Sequence, residues 1–441
     1  MKKIMSRIAA LTAAGMMALF GLAGCGSSGG ESSGNTTTKA AETEAATTEE
    51  NATTENTEAK SESAEPAVPT KDIKIGLICL HDENSTYDLN FISALETVKN
   101  DLKLTDEQII IKKNIPESNE CKEAAIDLAD HGCNIVFADS FGHESYLLEA
   151  AKEYPEVHFC HATGTLAHTE KLDNFHNAFA SIYQGRYLAG IAAGLKLNDM
   201  ISEGKITEDQ AVMGYVGAYT YAEVISGYTA FYLGAKSVCP SVTMKVRFTG
   251  SWYDETAEKE AATTLISDGC VLISQHADSM GAPTACENAG VPNISYNGST
   301  VDSCPNTFIV SSRINWAPYY EYVIDSYLHN DKLDYDWVGS LNTKSVQLTA
   351  INTNVASATT HDMIEEATQK LNEGSLHVFD TSTFTVNGET LTSYMADVDT
   401  DDAYTPDTEV ISDGYFHESE YRSAPYFDLR IDGITTLNEM F

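Results

Sequence analysis

A short apolar run leads directly into side chains that could do chemistry. In the segment 271–281, VLISQHADSMG, three apolar residues precede Ser274, and His276, Asp278 and Ser279 follow. An imidazole can bind a metal or a proton, a carboxylate accepts N–H donors, and a hydroxyl can act as a nucleophile. Alternation along a strand places His276 and Asp278 on the same face. The segment therefore indicates a catalytic pair, a metal site or the wall of a ligand pocket.

The catalytic interpretation is the weakest of the three. His276, Asp278 and Ser279 lie too close on one strand end to form a nucleophile–base–orienter chain. The sequence contains no GxSxG, HExxH or P-loop motif. A metal site formed by His161, His276 and a carboxylate stays open as an alternative, although no CxxC pair supports a zinc ribbon. We predict a binding protein, with no enzymatic activity, no cofactor and no metal.

Similar polar and aromatic residues follow the other apolar runs of the chain. The candidate ligand-binding residues are Tyr87, Asp88, Ser140, Phe141, His161, Trp252, His276, Asp278, Asn297 and Trp316. Aromatic rings can cover the two faces of a flat ligand, while fixed donors and acceptors contact its edge. This mixture predicts a site for a flat heterocycle with polar edges.

Individual roles follow from residue type. Trp252 is the first candidate for ring stacking, with Tyr87 and Phe141 as further aromatic walls. Asp278 can accept a charge-assisted hydrogen bond from an exocyclic amine or a ring N–H. Asn297 offers a donor and an acceptor together. The alternative for each aromatic residue is an ordinary place in the core.

Three further residues have structural alternatives. His161 could contact the ligand or serve as a structural histidine between lobes. Trp316 could cap the cleft or pack against the helix that follows it. Arg186, in the segment QGRYLAG, is predicted to be structural and to satisfy backbone carbonyls where two lobes meet.

Strand-like and helix-like segments alternate from residue 72 onward. Apolar runs begin near residues 72, 108, 134 and 157, and a second series begins near 211, 243, 270 and 293. Helical segments are predicted at 87–102, 117–131, 144–153, 181–197, 222–237, 255–267, 281–289 and 317–329. Two series of nearly equal spacing predict an α/β protein with two doubly wound parallel-sheet lobes and a cleft between them.

The predicted domain limits follow this pattern. Lobe 1 is assigned to 71–180, lobe 2 to 181–305, a crossover segment to 306–374 and a C-terminal β extension to 375–441. Within the extension, Asn387-Gly388 indicates a hairpin turn and 425–434 a last strand or edge. The acidic stretch 397–407 is predicted to be a loop.

Several segments resemble the basic membrane protein family of transporter substrate-binding lipoproteins, in its purine-nucleoside-receptor-like group. They are DSFGHES (139–145), FCHATG (159–164), IYQGRYLAGIAAG (182–194), SWYDETAEKEAA (251–262), ISQHADS (273–279) and INWAPYY (314–320). The resemblance implies a type I periplasmic-binding-protein fold, capture of a purine nucleobase or nucleoside, and delivery to ABC permease subunits. His161-Ala162 stands where nucleoside receptors carry an acidic residue, so an adenine-like nucleobase is favoured.

The N-terminus is predicted to be a lipoprotein signal peptide, residues 1–24. Basic residues precede an apolar stretch, and the segment LAGC at 22–25 resembles a bacterial lipobox. The resemblance implies a lipid on Cys25, which would anchor the chain at the extracytoplasmic face of the cell membrane. Residues 25–70, rich in Gly, Ser, Thr and Glu, are predicted to be a disordered acidic tether.

The net charge of the chain excludes some classes of binding partner. The full chain carries −38, and removal of the three basic residues in 1–24 leaves −41. Such a charge argues against nucleic acid and against direct contact with anionic lipid. The remaining eight cysteines do not form a disulfide framework by spacing. A ligand-sensing receptor subunit for another small molecule remains the alternative function.

Overall fold

The computed structural model describes residues 68–398 and 408–441. Within them the chain forms two large, mainly parallel sheets covered by helices, so the predicted α/β fold is confirmed. The predicted signal peptide, Cys25 and nearly all of the tether lie outside the described residues, as does most of the acidic loop 397–407.

The first sheet has six strands, all parallel, in the order β11-β5-β4-β3-β1-β2. Its strands are β1 (Ile75–Ile78), β2 (Ile109–Lys112), β3 (Ile135–Ala138), β4 (His158–Ala162), β5 (Phe175–Ala180) and β11 (Asp336–Gly339). Every residue of β1 and β3 is buried, because helices cover both faces of the sheet. This sheet and its helices are called lobe 1.

The second sheet has seven strands, in the order β12-β10-β9-β8-β6-β7-β17. Its strands are β6 (Val212–Gly217), β7 (Thr243–Phe248), β8 (Leu272–Gln275), β9 (Asn293–Tyr296), β10 (Phe308–Ile314), β12 (Val346–Leu348) and β17 (Ile434–Thr436). Only β12 runs antiparallel to its neighbour among these strands. This sheet and its helices are called lobe 2.

Of the ten α-helices in the described residues, eight fall close to the predicted segments, whereas the fourth (166–170) and the tenth (360–372) were not predicted. They are α1 (Thr86–Leu102), α2 (Asn119–Asp130), α3 (Glu144–Glu153), α4 (Leu166–Glu170), α5 (Ile182–Ser202), α6 (Ala222–Val238), α7 (Glu255–Ser267), α8 (Gly281–Ala289), α9 (Ala317–His329) and α10 (Thr360–Asn372). Side-chain caps fix three of the starts: Ser85 Oγ accepts from Asp88 N at α1, Ser118 Oγ accepts from Glu120 N at α2, and Asp254 Oδ1 accepts from Ala257 N at α7.

Two strands of lobe 1, β5 and β11, were not predicted. His176 and Asn177 interrupt the apolar character of β5, and both are held by tertiary contacts. The Nδ1 atom of His176 bonds Asp334 O at 2.9 Å, and Asn177 Oδ1 accepts from Ala167 N at 2.8 Å. The edge strand β11 has only four residues, three of them half-buried. The strand β5 was therefore missed because tertiary contacts satisfy its polar residues, and β11 was missed because it is short and half-buried.

The chain passes between the two lobes three times. It crosses from β5 to α5, from β10 to α9, and from β11 to β12. The segment predicted as one crossover, 306–374, therefore contributes to both lobes. Its helix α9 packs against α1 in lobe 1, whereas α10 packs against α5 in lobe 2.

Helices α5 and α6 approach each other at backbone distance. A Cβ on Gly190 would lie 2.1 Å from the Phe231 carbonyl oxygen, and a Cβ on Gly234 would lie 2.0 Å from that of Tyr187. Only glycine fits at these two contacts. The close approach fixes α6, whose first turn faces the gap between the lobes, against the helix that enters lobe 2 from lobe 1.

The C-terminal extension belongs to lobe 2. Phe379 and Phe427 stack with ring centroids 4.3 Å apart within the lobe 2 core. The predicted turn at Asn387-Gly388 is present, but a single bridge between Val386 and Glu389 flanks it instead of a hairpin. Short ladders follow, β13 (Met395–Ala396) with β14 (Thr408–Glu409) and β15 (Ile411–Ser412) with β16 (Tyr415–Phe416). The last strand, β17, begins only at the end of the predicted range.

The eight cysteines within the described residues are all buried and unpaired. They are Cys79, Cys121, Cys133, Cys160, Cys239, Cys270, Cys286 and Cys304. Within the described residues, these side chains therefore pack as small core residues. In residues 68–398 and 408–441, none of the helices combines the length and apolar character needed to cross a membrane.

Candidate functional site

A cavity lies between the carboxyl ends of the strands of the two lobes, with about 370 Å³ of space not filled by atoms, part of it open to solvent. Its walls are formed by Leu80, His81, Tyr87, Asp88, Ser140, Phe141, Thr163, Glu223, Trp252, His276, Asp278 and Tyr296. In parallel α/β sheets, loops at these strand ends collect the side chains that bind ligands. The predicted cleft is therefore present, and both lobes contribute to it.

Direct contacts between the lobes enclose this cavity. The backbone N and the Oγ1 atom of Thr86 both donate to Asp278 O at 3.2 Å. Asn90 Nδ2, on α1, donates to Asn297 Oδ1 at 3.2 Å. The rings of Phe141, in lobe 1, and Tyr221, in lobe 2, stack with centroids 5.2 Å apart. The structure therefore has its two lobes closed on the cavity.

The aromatic walls are held by neighbours. Trp252 packs edge-on against Tyr219, with ring centroids 5.0 Å apart, and Tyr221 lies 6.1 Å from it. On the lobe 1 side, the Tyr87 hydroxyl donates to Asp139 O at 2.8 Å. These contacts fix ring orientation before any ligand binds, which lowers the entropy lost on binding.

Asp278 is a buried carboxyl group at the cavity wall. Its Oδ1 atom accepts from Asn297 Nδ2 at 3.2 Å. Burial, together with the nearby carboxylates of Asp88 and Glu258, raises the pKa of Asp278 well above its ordinary value. A ligand that donates an N–H to this group would favour its charged form and lower that pKa again.

His276 is fixed in a single tautomer by its neighbours. Arg186 Nη2 lies 3.2 Å from His276 Nδ1, and a guanidinium group can only donate, so Nδ1 accepts. The proton therefore resides on Nε2, which points to Glu223 Oε1 at 3.2 Å. Burial lowers the pKa of His276, although Glu223 opposes this shift, so the neutral ring is favoured.

Arg186 lies one layer behind the cavity wall. Its Nη1 donates to Gln275 O at 3.0 Å, and its guanidinium carbon lies 3.3 Å from the centroid of the Tyr296 ring. Arg186 thus satisfies a backbone carbonyl, as predicted, and it also orients two residues of the cavity wall.

Cys79, Asp88 and Asp139 form the one close group of potential metal ligands within the described residues, with ligand atoms within 4.8 Å of one another. Burial raises the pKa of both the Cys79 thiol and the Asp139 carboxyl, which favours their neutral forms. Burial would also raise the pKa of Asp88, but hydrogen bonds from His81 and Ser85 outweigh it and hold that pKa low. A single charged carboxylate is a poor cation site.

The metal alternative through His161 and His276 is not supported. His161 Nε2 bonds Ser140 O at 2.7 Å, and burial lowers the His161 pKa to about 4. The ring of His276 is held between Arg186 and Glu223. The two imidazoles therefore have separate structural partners.

The structure brings together seven of the ten predicted site residues. Tyr87, Asp88, Ser140, Phe141, Trp252, His276 and Asp278 line the cavity. His161 and Asn297 stand behind the wall, where they hold Ser140 and Asp278. Trp316 is 1% exposed and stacks on Phe91 at 4.4 Å in the lobe 1 core, so it packs at the start of α9 instead of capping the cleft.

Four cavity residues with polar side chains were not among the predicted ones: His81, Thr163, Glu223 and Tyr296. Glu223 lies in the first turn of α6. Acidic residues are common there because they complement the helix dipole, so the sequence gives no distinct indication of a site. Tyr296 ends a buried apolar strand, where a tyrosine is usually core. Both could have been found from their place at the carboxyl ends of β6 and β9.

The cavity wall carries three acidic side chains, and its basic side chains are two histidines. Asp88, Glu223 and Asp278 contribute carboxyl groups, and no Lys or Arg is among the lining residues. The Tyr296 hydroxyl is buried and has no hydrogen-bond partner within the described part of the chain. The wall therefore suits a ligand that donates several hydrogen bonds, and it opposes phosphate or carboxylate groups.

Comparisons with known proteins agree with this geometry. A family model described as ABC transporter substrate-binding protein PnrA-like matches residues 81–377. A putative ABC transporter glucose-binding protein of Haloferax volcanii is 33% identical over 47% of this chain and 49% of its own length. A purine-binding protein of Brucella abortus is 31% identical over 47% of this chain and 55% of its own length. The chain thus spans about half the length of the curated relatives it matches.

A solved structure shows the same fold. An ABC transporter solute-binding protein of Conexibacter woesei superposes with a TM-score of 0.56 at 20% identity, over 69% of this chain and 98% of that one. The family match agrees with the expectation of a solute-binding protein instead of an enzyme. The chain belongs to the PnrA-like family of ABC transporter substrate-binding proteins.

Proposed function

We propose that this protein captures a purine nucleobase, adenine-like in its donor groups, for an ABC importer. The observation that carries the proposal is a closed cavity in which Trp252 supplies a flat aromatic wall and Asp88 and Asp278 supply acceptors. A ring stacked on Trp252 would present its N–H and amine donors to these carboxyl groups. The Tyr296 hydroxyl is a buried donor for a ring nitrogen.

The relatives support a small ligand of this kind. The purine-binding relative from Brucella abortus agrees with the proposal. The relative named as a putative glucose-binding protein makes a sugar the second candidate, because carboxylates and aromatic rings also suit hydroxyl-rich rings.

A thermal-shift panel on the full chain tests the ligand. Adenine, hypoxanthine, adenosine, guanosine and glucose are compared at equal concentration, since a ligand at 100 times its Kd stabilises the folded state by about 2.7 kcal/mol. We expect adenine to give the largest rise in Tm and glucose none. A rise with glucose alone would replace the purine proposal with the sugar one, and no rise with any compound would reject both.

We also propose that the chain is delivered to the cell surface as a lipoprotein. Residues 1–24 would be the signal peptide, Cys25 the lipidated residue and 25–70 the tether, with ABC permease subunits as partners. Metabolic labelling with palmitate should mark the wild type and leave Cys25→Ser unlabelled. Equal labelling of both would reject the anchor. A receptor that signals to a membrane partner instead would show no purine uptake through the permease.

A further inference from the structure

The last residues of the chain pack against the loops that carry the lobe 2 wall of the cavity. These residues, 434–440, are called the C-terminal clamp. They lie outside the segment 81–377 that matches the family. The clamp begins as β17, which pairs in parallel with β7 through Ile434–Met244 and Thr436–Val246. It therefore covers a strand that would otherwise be the edge of the lobe 2 sheet.

Beyond β17, the clamp follows β7 to its carboxyl end. Leu437 N donates to Val246 O at 2.8 Å. The side chain of Asn438 then binds both backbone groups of Phe248: its Oδ1 accepts from Phe248 N and its Nδ2 donates to Phe248 O, each at 2.9 Å. Phe248 is the last residue of β7, and Trp252 lies four residues later in the loop to α7.

Met440 reaches the second loop. Its carbonyl oxygen accepts from Thr220 N at 2.7 Å, and its N donates to Thr220 Oγ1 at 2.8 Å. Thr220 lies between β6 and α6, three residues before Glu223. The Met440 side chain also lies beside Gly250, in the loop that carries Trp252.

We propose that the C-terminal clamp is a positioning element of the ligand site. It ties the β6–α6 loop to the β7–α7 loop, and so sets the spacing between Glu223 and Trp252 across the cavity. The effect extends to Asp278, because Asp278 N donates to Trp252 O at 3.1 Å. The clamp itself does not line the cavity. The ligand-binding part of this inference rests on the proposed function.

The test compares two asparagine variants that lose side-chain bonds to the backbone at opposite ends of the lobe 2 sheet. Asn438→Ala removes the two bonds to Phe248. The control, Asn352→Ala, removes three bonds at the amino end of β10: Nδ2 donates to Pro305 O and Phe308 O, and Oδ1 accepts from Asn354 N. Each variant loses side-chain bonds to backbone, so the control should lower stability at least as much as Asn438→Ala.

Calorimetric titration with adenine should show binding at least about fivefold weaker in Asn438→Ala and nearly unchanged in Asn352→Ala. Thr220→Val, which removes the acceptor for Met440 N, should weaken binding in the same direction, and Thr220→Ser should restore it. Equal affinities in wild type, Asn438→Ala and Thr220→Val would overturn the role of the clamp in binding.

A second measurement does not depend on the ligand. Hydrogen exchange of the amides in 218–223 and 249–254 should be faster in Asn438→Ala than in wild type, and unchanged in Asn352→Ala, because only the first variant releases the two loops. If the wild type binds no purine, the proposed function is wrong. Hydrogen exchange of the two loops still decides whether the clamp fixes them. Unchanged exchange in Asn438→Ala would reject the clamp.

Discussion

Replacing Asp278 with alanine should weaken adenine binding at least about tenfold, a loss of about 1.4 kcal/mol. The carboxyl group is buried at the cavity wall and holds Asn297, which in turn contacts Asn90 of lobe 1. A ligand N–H directed at Asp278 would lose its acceptor in a site closed to water, and an unsatisfied buried donor costs ~1–3 kcal/mol.

Calorimetric titration of wild type and Asp278→Ala with adenine, hypoxanthine and adenosine measures this loss. Asp302→Ala serves as control, since Asp302 is an exposed aspartate of lobe 2 outside the cavity wall. We expect affinity to fall in Asp278→Ala for every ligand that donates an N–H, and to stay at the wild-type value in the control. Wild-type affinity in Asp278→Ala would place the acceptor elsewhere.

Replacing Arg186 with methionine should lower both stability and affinity. The substitution leaves Gln275 O and His276 Nδ1 without their donor and removes the cation over the Tyr296 ring. Because each buried acceptor left unsatisfied costs roughly 1–3 kcal/mol, we expect the free energy of unfolding to fall by about 3 kcal/mol. Adenine affinity should fall as well, since His276 and Tyr296 lose their fixed orientation.

Denaturant unfolding and ¹⁵N NMR of the His276 ring separate the two effects. In wild type the ring proton should be on Nε2, whereas Arg186→Met should show a mixture of tautomers. Arg313→Met, a partly buried arginine on β10 of the same sheet, is the control and should leave the His276 spectrum unchanged. A single Nε2 tautomer in Arg186→Met would contradict the role assigned to Arg186.

Most of the fold could be predicted because its elements have clear periodicity. Buried parallel strands such as β1 and β3 are short apolar runs, and the helices between them have capping residues such as Ser85 and Asp254. The strand β5 was missed because His176 and Asn177 are satisfied by partners distant in sequence. Nothing local in FHNAFA distinguishes such polar residues from those of a loop.

The sequence predicts the kind of site well, but it predicts less well which side chains reach the cavity. Residues at the ends of parallel strands converge, which is why Tyr87, Trp252 and Asp278 were expected together. Distance along a strand does not reveal which side chain reaches the cavity: Asn297 has a positive φ of 62° and turns back to hold Asp278. Trp316 begins a helix, and its ring packs on Phe91, a contact between segments more than 200 residues apart.

The C-terminal extension shows a different limit of prediction from sequence. Its turn at Asn387-Gly388 follows from residue type, since both residues adopt positive φ. The position of β17 does not follow from residue type. This strand pairs with β7, which lies some 190 residues earlier and would otherwise form the free edge of the sheet. Three residues, Ile434–Thr436, carry no periodicity that could predict such a partner.

The alkylation rates of the eight buried thiols can report local unfolding in the native protein. Each lobe carries four of them: Cys79, Cys121, Cys133 and Cys160 in lobe 1, and Cys239, Cys270, Cys286 and Cys304 in lobe 2. A buried thiol reacts with an alkylating reagent only during moments when its surroundings unfold. The order in which these cysteines are modified therefore ranks the two lobes by local unfolding rate, without any engineered probe. A ligand that holds the lobes together should slow both sets.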